Sequence, residues 1–483
     1  MNAARTQPTS PTAAPAHTSP VINPSRISEV AGRVRVATAR DVDIAVDAAA
    51  LAQRAWAALD VEDRASRLEQ IATRIESRAS ELAVTLAREV GTVMPLATGE
   101  LTTAARLFRL MATHARTQLA DPPEIVEEDA RLLILRRPYG VVACIVPWNA
   151  PAVLAAQKVA PALAAGNAVV VKPSPLAPLT VTAMLEEAAE ELPAGLLQVV
   201  NGGAEVGNAL VESPRIAKVS FTGGGPTASV IMRAAAARLT AVHFELGGND
   251  PAIVLDDADP AEAARGIVGS AFRRSGQICY AVKRVYVPRN RAEAFREACV
   301  AAAEDLRVGD ALDPRSTMGP VNNSAQFGRV RLLAERARAA GRSVVEVGGR
   351  VQPDEWDRGY FLQPALVVDA EHNDEIVSVE QFGPVLPIVA YDTEQDAVAM
   401  ANDTAYGLGA SVWSSDIDRA IRTATRIESG ISFVNAHVQS PLALREMPFG
   451  GVKQSGMGWE NSSEGLSEYL QFHSVDAHLG QAR

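Results

Sequence analysis

Residues 140–172 read GVVACIVPWNAPAVLAAQKVAPALAAGNAVVVK. This stretch holds an apolar run at 140–146, an Ala-rich segment at 151–164 and a second apolar run at 168–171. Apolar runs of strand length on either side of about a dozen helix-forming residues predict a β–α–β unit. Because strands that are buried on both faces are apolar throughout, the stretch predicts a parallel sheet covered by helices.

The same alternation extends along the chain. Before it, residues 41–117 have the three- and four-residue apolar spacing of helices. After it we predict strands at 197–200 and 218–221 and helices at 179–191 and 228–237, and beyond Gly248 a second set of strands at 252–255, 284–287, 386–391, 410–413 and 431–435. Since 483 residues exceed one hydrophobic core, we expect an α/β protein with two lobes that meet near Gly247 and Gly248.

Composition limits the partners of this chain. A net charge of -11 argues against nucleic acid or an anionic membrane as the main partner, and no apolar run reaches the roughly 18 residues of a membrane helix. Residues 1–25 are rich in Ala, Thr, Ser and Pro and contain no acid. They could form a transit peptide, but the prolines disfavour an amphipathic helix, so we predict a disordered arm and a cytoplasmic protein.

The three cysteines have different settings. Their odd number and wide spacing predict neither a disulfide framework nor a metal site. Cys144 lies in an apolar predicted strand and Cys299 in an Ala-rich helical segment, which indicates core packing. Cys279 follows Gly276 and Gln277 without an apolar periodicity. It is either another packed thiol or a nucleophile at a loop-to-helix junction, where the helix dipole would favour the thiolate.

Polar residues follow two of the predicted strands. Asn149 comes after the strand at 140–146 and Lys172 after the strand at 168–171, and parallel sheets bind ligands at such carboxyl ends. The Asn149 amide could donate to a developing oxyanion or cap the next helix. Lys172 could donate to ribose or phosphate oxygens, or extend over the surface.

Two further motifs end predicted strands. Phe221 and Thr222 lead into Gly223 and Gly224, where glycines could admit a pyrophosphate or simply form a tight turn. Glu245 ends a mostly apolar segment, which would raise its pKa toward that of a general base; a loop carboxylate is the alternative. A thiolate, a base and an amide donor together are what acyl transfer through a covalent intermediate requires.

Seven motifs in this order carry a family resemblance. PWN (147–149), KPS (172–174), FTGG (221–224), ELGG (245–248), GQIC (276–279), EQFGP (380–384) and PFGGVKQSGMGWE (448–460) resemble those of the aldehyde dehydrogenase superfamily. The resemblance covers residue 36 to the C-terminus, and the spacing of 34 positions from Glu245 to Cys279 is similar to that of hydrolytic members.

The resemblance implies oxidation of an aldehyde to a carboxylic acid with NAD or NADP. Cys279 would attack the aldehyde, while Asn149 and the backbone N–H of Cys279 hold the oxyanion. Hydride would leave the thiohemiacetal for the nicotinamide, and Glu245 would activate the water that hydrolyses the thioester. The implied cofactor contacts are Trp148, Lys172, Ser174, Gly223, Gly224, Glu380 and Phe382.

The resemblance also implies a domain layout. A Rossmann-like cofactor domain would comprise residues 26–120 and 138–247, and an α/β catalytic domain residues 248–449. A small β arm at 121–137 and 465–478 would join protomers into a homodimer or a dimer-of-dimers tetramer.

Three positions depart from the family pattern. Pro175 stands where many NAD-preferring members have a ribose-binding glutamate, so NADP is less excluded. The segment from Gly224 to Ala228 differs from the usual start of the next helix, and Asn249 replaces a lysine.

The substrate pocket is assigned by position to Ala150, Leu154, Gln157, Ile278 and Tyr280. Few fixed charges fall there, which favours a medium-sized apolar or aromatic aldehyde. The loop between Asn435 and Pro448 carries His437 and Arg445, and Arg445 could instead bind the carboxylate of a semialdehyde or face solvent.

Two alternative functions agree less well with the motif residues. CoA-acylating relatives generally lack the ELGG glutamate, so Glu245 disfavours that reaction. A catalytically silent family member would not need Asn149, Glu245 and Cys279 together.

Overall fold

The computed structural model describes residues 17–120 and 123–479. The prediction of a disordered arm at 1–25 is wrong for its last part, because Thr18–Asn23 forms a strand paired antiparallel with Arg26–Arg35. Pairing supplies main-chain hydrogen bonds that composition cannot reveal, and Val21 is buried against the core. The rest of that prediction, residues 1–16, lies outside the described residues.

The described residues form the following elements. The strands are β1 (Thr18–Asn23), β2 (Arg26–Arg35), β3 (Glu124–Val126), β4 (Ala130–Pro138), β5 (Val141–Ile145), β6 (Ala168–Lys172), β7 (Leu197–Val199), β8 (Ile216–Thr222), β9 (Ala241–Glu245), β10 (Asp250–Val254), β11 (Val282–Pro288), β12 (Arg307–Val308), β13 (Val344–Glu346), β14 (Gly349–Arg350), β15 (Ala365–Ala370), β16 (Val385–Tyr391), β17 (Gly409–Trp413), β18 (Ile431–Val434), β19 (Gly456–Met457) and β20 (Leu470–His478). The helices are α1 (Ala39–Ala57), α2 (Val61–Val90), α3 (Met94–Leu119), α4 (Pro151–Ala164), α5 (Leu179–Ala189), α6 (Ala204–Glu212), α7 (Gly225–Ala236), α8 (Pro260–Ala271), α9 (Ala292–Ala302), α10 (Ser324–Ala339), α11 (Glu375–Ser378), α12 (Glu394–Asn402), α13 (Ile417–Ala424), α14 (Pro441–Glu446) and α15 (Ser462–Ser467).

The helical segment predicted at 41–117 consists of α1, α2 and α3. Thr38 and Asp41 form a reciprocal capping box at the start of α1. Gly91 ends α2 with a φ of +84°, a conformation that glycine adopts without a steric penalty. The buried face of α2 carries Leu68, Ile71, Ile75, Leu82 and Leu86 and packs into the core of the first lobe.

The first lobe is built on a six-stranded sheet in the order β19-β9-β8-β5-β6-β7. All neighbours in it are parallel except β19, which pairs antiparallel with β9. Strands β5 and β6 are buried at every position, as their apolar sequences predict.

The second lobe contains a seven-stranded sheet in the order β13-β15-β16-β11-β10-β17-β18. Its neighbours are parallel except for β13, which runs antiparallel to β15. The two sheets, with helices between successive strands, confirm the predicted α/β fold.

A third, antiparallel sheet has the order β20-β4-β3. Its register runs from Leu470 opposite Pro138 to His478 opposite Ala130, so it joins two segments that are far apart in sequence. None of the helices within 17–120 and 123–479 is long and apolar enough to cross a membrane.

The chain passes between the two large sheets within four residues. Strand β9 ends at Glu245 in the first sheet, and β10 begins at Asp250 in the second. This short crossing brings the carboxyl end of the first sheet against the second lobe, where ligands of parallel sheets bind.

Candidate active site

Cys279 lies on the loop that leads into β11. It follows the 3₁₀ turn Arg273–Gly276 and precedes Val282, the first residue of that strand. The prediction of a loop-to-helix junction is therefore wrong, and no dipole of a following helix acts on the thiol. Cys279 is half-buried, whereas Cys144 and Cys299 are buried in the core, as predicted.

The backbone before Cys279 is tightly constrained. Arg274 and Ser275 have φ values of +50° and +57°, and Gly276 has +73°. A Cβ on Gly276 would lie 2.3 Å from the carbonyl oxygen of Gly383. This position therefore requires glycine for both its conformation and its close contact with the loop after Phe382.

A buried ion pair anchors this turn. The Arg274 guanidinium lies 2.6 Å from the Glu100 carboxylate on α3 and donates to the carbonyl oxygen of Asn149 at 3.3 Å. The other carboxylate oxygen of Glu100 accepts the backbone N–H of Ala152 at 2.8 Å. Glu100 thus accepts a hydrogen bond from the first turn of α4. Ala150, the residue before this helix, has no side chain that could cap it.

The Asn149 side chain is aimed at the cysteine loop. Its Nδ2 donates to the carbonyl oxygen of Gln277 at 2.9 Å, and the residue is buried. The amide is therefore oriented by the loop and does not cap α4, which excludes the capping alternative. One N–H of the amide is used in this bond, and an amide nitrogen carries a second N–H.

The resting thiol is neutral. Burial raises the pKa of Cys279 to about 12, the carboxylates of Glu245, Asp250 and Glu380 act in the same direction, and Lys283 opposes them. The Lys283 ammonium donates to the carbonyl oxygens of Ile278 and Cys279 at 2.9 and 2.5 Å. The sequence motifs did not point to Lys283, which is a buried cation next to the cysteine loop.

Glu245 is a buried carboxyl group at the end of β9. Neither of its oxygens has a hydrogen-bond partner among the described residues. Burial, and then the charge of Glu460, raise its pKa well above the ordinary value, while Lys158 acts in the opposite direction. This is the direction that its apolar segment predicted, and it suits a group that must take up a proton near neutral pH.

The sequence also missed the buried ion pair behind Glu245. Lys158 on α4 and Glu460 are 2.6 Å apart, and both side chains are almost completely buried. Lys158 could have been noticed as a lone charge in the apolar segment 151–164, but its partner lies 302 positions away.

A cleft of about 1130 Å³ joins Cys279 and Asn149 to the glycine turn after β8. Its lining includes Trp148, Leu154, Gly223, Gly224, Glu380 and Phe382 from the predicted set, together with Gln326 and Arg329 on α10. The rings of Trp148 and Phe382 meet edge-on with centroids 5.6 Å apart.

The loop carrying Glu380 and Phe382 is held from α10. Gln326 donates to the carbonyl oxygens of Gln381 and Phe382, and Arg329 to those of Glu380 and Gln381. Phe382 has a φ of +51°, which is unfavourable for an aromatic residue and is maintained by these bonds. Gln326 and Arg329 carried no motif that the sequence could reveal.

Two predicted cofactor contacts do not line this cleft in the described part of the chain. The Lys172 ammonium donates to the carbonyl oxygens of Pro173 and Gly202, and burial lowers its pKa to about 8. Lys172 is buried, so the alternative of a surface-extended lysine is wrong. Ser174 is half-buried, and its hydroxyl accepts the backbone N–H of Leu176.

The predicted substrate residues fall in different places. Ile278 and Tyr280 line a second cavity of about 790 Å³ with His437, and Leu154 lines the larger cleft. The half-buried Ala150 and the buried Gln157 are not among the residues that line either cavity in the described ranges, and Gln157 donates to Asn461.

The second cavity is bounded by a histidine on the loop after β18. His437 is within 2.6 Å of the carbonyl oxygen of Tyr280 and 3.6 Å from Asp250.

Arg445 is exposed and paired with Glu446. The departure at Asn249 has a local effect, because its amide donates to the carbonyl oxygen of Val377.

The cleft lies between two α/β lobes and is lined by a cysteine, an amide and a glycine turn. This arrangement is typical of an enzyme that uses a cysteine nucleophile, for which Cys279 is the candidate. The sequence model of the Aldehyde dehydrogenase family matches residues 12–475. The chain belongs to this family and is an oxidoreductase that acts on aldehydes.

Relatives agree with this assignment. The chain is 39% identical over 457 residues to geranial dehydrogenase from Castellaniella defragrans, covering 92% of the chain and 93% of that protein. It is 36% identical over 466 residues to aminoaldehyde dehydrogenase 1, peroxisomal, from Pisum sativum, covering 94% and 92%. The structure matches that of betaine aldehyde dehydrogenase from Staphylococcus aureus in complex with NAD+, with a TM-score of 0.91, 31% identity and coverage of 96% and 93%.

The raised pKa of Cys279 predicts slow alkylation of the ligand-free protein. Because the thiolate fraction is small below pH 9, the iodoacetamide rate should rise about tenfold per pH unit between pH 7 and 9. One thiol per chain should react, since Cys144 and Cys299 are buried. Mass spectrometry measures the stoichiometry, and Cys279→Ser provides the unlabelled control. A rate that levels off below pH 8 would contradict a neutral resting thiol.

Proposed function

We propose that this protein oxidises an aldehyde to a carboxylic acid, with NAD or NADP as hydride acceptor, through a thioester on Cys279. The observation that carries the proposal is the orientation of Asn149 toward the cysteine loop, within the same cleft as Cys279. Glu245, buried and unpaired among the described residues at the end of β9, supplies the base that hydrolysis of a thioester requires.

Each residue has a distinct part in this mechanism. The Cys279 thiol releases its proton to solvent as the sulfur attacks the carbonyl carbon, and the second N–H of Asn149 stabilises the oxyanion of the thiohemiacetal. Loss of hydride leaves a thioester on the sulfur. Glu245 then takes a proton from water as the water attacks the thioester carbon, and the acid departs as the thiol is restored.

The cleft has the features that a dinucleotide needs. Its volume exceeds that of ordinary small-ligand pockets, and the buried Thr222 hydroxyl beside Gly223 has no partner among the described residues. The first turn of α7 contains no acid, so its N-terminus can receive a pyrophosphate. When bound, the nicotinamide accepts the hydride. The Staphylococcus aureus relative holds NAD+, and Pro175 removes the carboxylate that would repel the 2′-phosphate of NADP.

Substitution of Glu245 should separate the two halves of this reaction. Glu245→Gln cannot accept the proton of water, so we expect a burst of NAD(P)H of up to one equivalent, followed by turnover at least 100-fold slower than normal.

Asn149→Ala should reduce kcat by about 10²–10³-fold, since it removes an oxyanion donor. Stopped-flow absorbance at 340 nm measures both.

The same experiment distinguishes the competing functions. Normal turnover of Glu245→Gln in the presence of CoA would support acyl transfer to CoA instead of water. Absence of NAD(P)H formation by the unaltered protein with every aldehyde tested would support a silent family member.

We propose a medium-sized apolar or aromatic aldehyde as the substrate. Cys279 and Tyr280 pack against an apolar cluster that includes Phe449, and the Tyr280 and Phe449 rings meet edge-on at 5.5 Å. The geranial dehydrogenase named above is a relative whose substrate is an apolar aldehyde. Arg445 does not favour a semialdehyde, because it is exposed and already paired with Glu446.

An aldehyde panel tests this specificity with both cofactors. We expect kcat/KM for geranial or benzaldehyde to exceed that for succinic semialdehyde and 4-aminobutanal by at least tenfold, because the apolar cluster against which Cys279 and Tyr280 pack cannot solvate a charge. Arg445→Ala should leave the ranking unchanged. A preference for succinic semialdehyde that is lost in Arg445→Ala would overturn the proposal.

We also propose that the large sheets form the cores of a cofactor domain at 26–120 and 138–247 and a catalytic domain at 248–449. The β20-β4-β3 sheet would then be the arm that joins protomers, as a dimer or a tetramer. Its surface exposes four apolar side chains, namely Ile125, Val126, Phe472 and Val475.

Charges on this arm should weaken assembly. Phe472→Asp with Val475→Lys places charges on its exposed apolar surface, so light scattering after size exclusion should show a smaller assembly than the unaltered protein. Leu51→Lys is the control, because Leu51 is at least as exposed as Phe472 and Val475 but lies on α1. An unchanged mass for the arm variant would contradict this role.

A further inference from the structure

His243 is a buried histidine beside the candidate base. It lies on β9 two residues before Glu245, so both side chains project from the same face of the strand. The side chain of His243 is fully buried. No step of the mechanism above uses this imidazole.

Two hydroxyl groups favour one tautomer of His243. The Tyr469 hydroxyl donates to the Ser220 hydroxyl oxygen at 3.0 Å, and Ser220 Oγ lies 3.0 Å from His243 Nδ1. Since Ser220 already accepts from Tyr469, its own hydrogen is free for Nδ1. The ring nitrogen Nδ1 then accepts, and the proton of the neutral imidazole resides on Nε2.

This protonated nitrogen faces the carboxylate. Nε2 of His243 is 3.9 Å from Oε1 of Glu245. Among the described residues, neither Nε2 nor either oxygen of Glu245 has a hydrogen-bond partner. A buried donor and a buried acceptor that both lack partners are costly, and a small side-chain rotation would close the gap between them.

We propose that His243 is a positioning residue for Glu245: its Nε2–H donates to the carboxylate, holds it at the site and stabilises its ionised form. The proposal rests on the role of Glu245 as the base of thioester hydrolysis. The chain Tyr469–Ser220–His243 acts by keeping the proton on the nitrogen that faces Glu245.

The surrounding charges keep the imidazole neutral. Burial lowers the pKa of His243 well below its ordinary value, and the ammonium groups of Lys158 and Lys218 act in the same direction. Among the described residues, the titratable groups around the His243–Glu245 pair are Lys158 on α4, Lys218 on β8, Cys144 on β5, Cys279 on the loop before β11, and Glu460, Glu468 and Tyr469 on the C-terminal segment. His243 therefore stays a donor across the neutral range.

A neutral donor has a defined effect on pH dependence. Donation to the carboxylate lowers the pKa of Glu245 from the value that burial alone would impose. Removing the donor must raise this pKa, so the acidic limb of the kcat profile must move to higher pH. A hydrogen bond to a charged group changes an equilibrium by about tenfold or more, which corresponds to a shift of about one pH unit.

The test compares kcat profiles between pH 5 and 10 for the full-length protein with its best aldehyde. We expect His243→Leu to move the acidic limb upward by about one unit, while the NAD(P)H burst persists. His243→Gln, which retains an N–H near the Nε2 position, should restore most of the limb. Ser220→Ala should shift the limb in the same direction by less, because either nitrogen can then carry the proton.

Controls separate this role from a structural one. His372→Gln removes a hydrogen-bonded histidine in the other lobe and should leave the limb unchanged. Thermal unfolding is measured for every variant, and if His243→Leu does not fold, Ser220→Ala carries the test. An unmoved limb in a folded His243→Leu, or in Ser220→Ala where His243→Leu fails to fold, would overturn the proposal. Full activity of Glu245→Gln would instead overturn the role of Glu245.

Discussion

The geometry of the site depends on the buried ion pair between Glu100 and Arg274. Glu100 belongs to the helical layer, and its carboxylate also receives the first N–H groups of α4. Arg274 belongs to the turn before Cys279 and donates to the backbone of Asn149. A buried charge without its partner would be strongly destabilising, so this pair fixes α3, α4 and the cysteine turn in one arrangement. The orientation of Asn149 toward the cysteine loop follows from it.

The second constraint is the close approach of the two lobes. A Cβ on Gly248 would lie 2.8 Å from the carbonyl oxygen of Cys279, and one on Gly247 would lie 2.4 Å from the Glu380 carboxylate. Glycine at both positions lets the chain cross between the sheets within contact of the cysteine loop and the Glu380 side chain. The ELGG motif thus couples the candidate base, the cysteine loop and the loop of Glu380 through the backbone.

Low dielectric surroundings give the resting site its chemistry. Burial disfavours the charged forms of both Cys279 and Glu245, so the ligand-free site holds a neutral thiol and a carboxyl group of raised pKa. Lys283 and Lys158 are the nearby cations, and each is already engaged, with backbone carbonyls or with Glu460. In the proposed reaction, the bound substrate and cofactor would therefore have to make the thiol reactive.

The α/β alternation and the motif residues could be predicted from the amino-acid sequence, because strand burial, helix spacing and glycine turns leave local patterns. It predicted Cys279, Glu245 and Asn149 as candidates, and the raised pKa of Glu245. It missed the strand at Thr18–Asn23, since pairing with β2 leaves little compositional signal, and it placed Cys279 before a helix where β11 follows. Three contacts became visible only in the folded chain: Asn149 faces the cysteine loop instead of capping α4, Lys158 pairs with Glu460 across 302 positions, and Ser220 lies between Tyr469 and His243. These contacts join residues far apart in the chain. A buried polar group needs a hydrogen-bond partner, but the local sequence does not identify which distant side chain provides it.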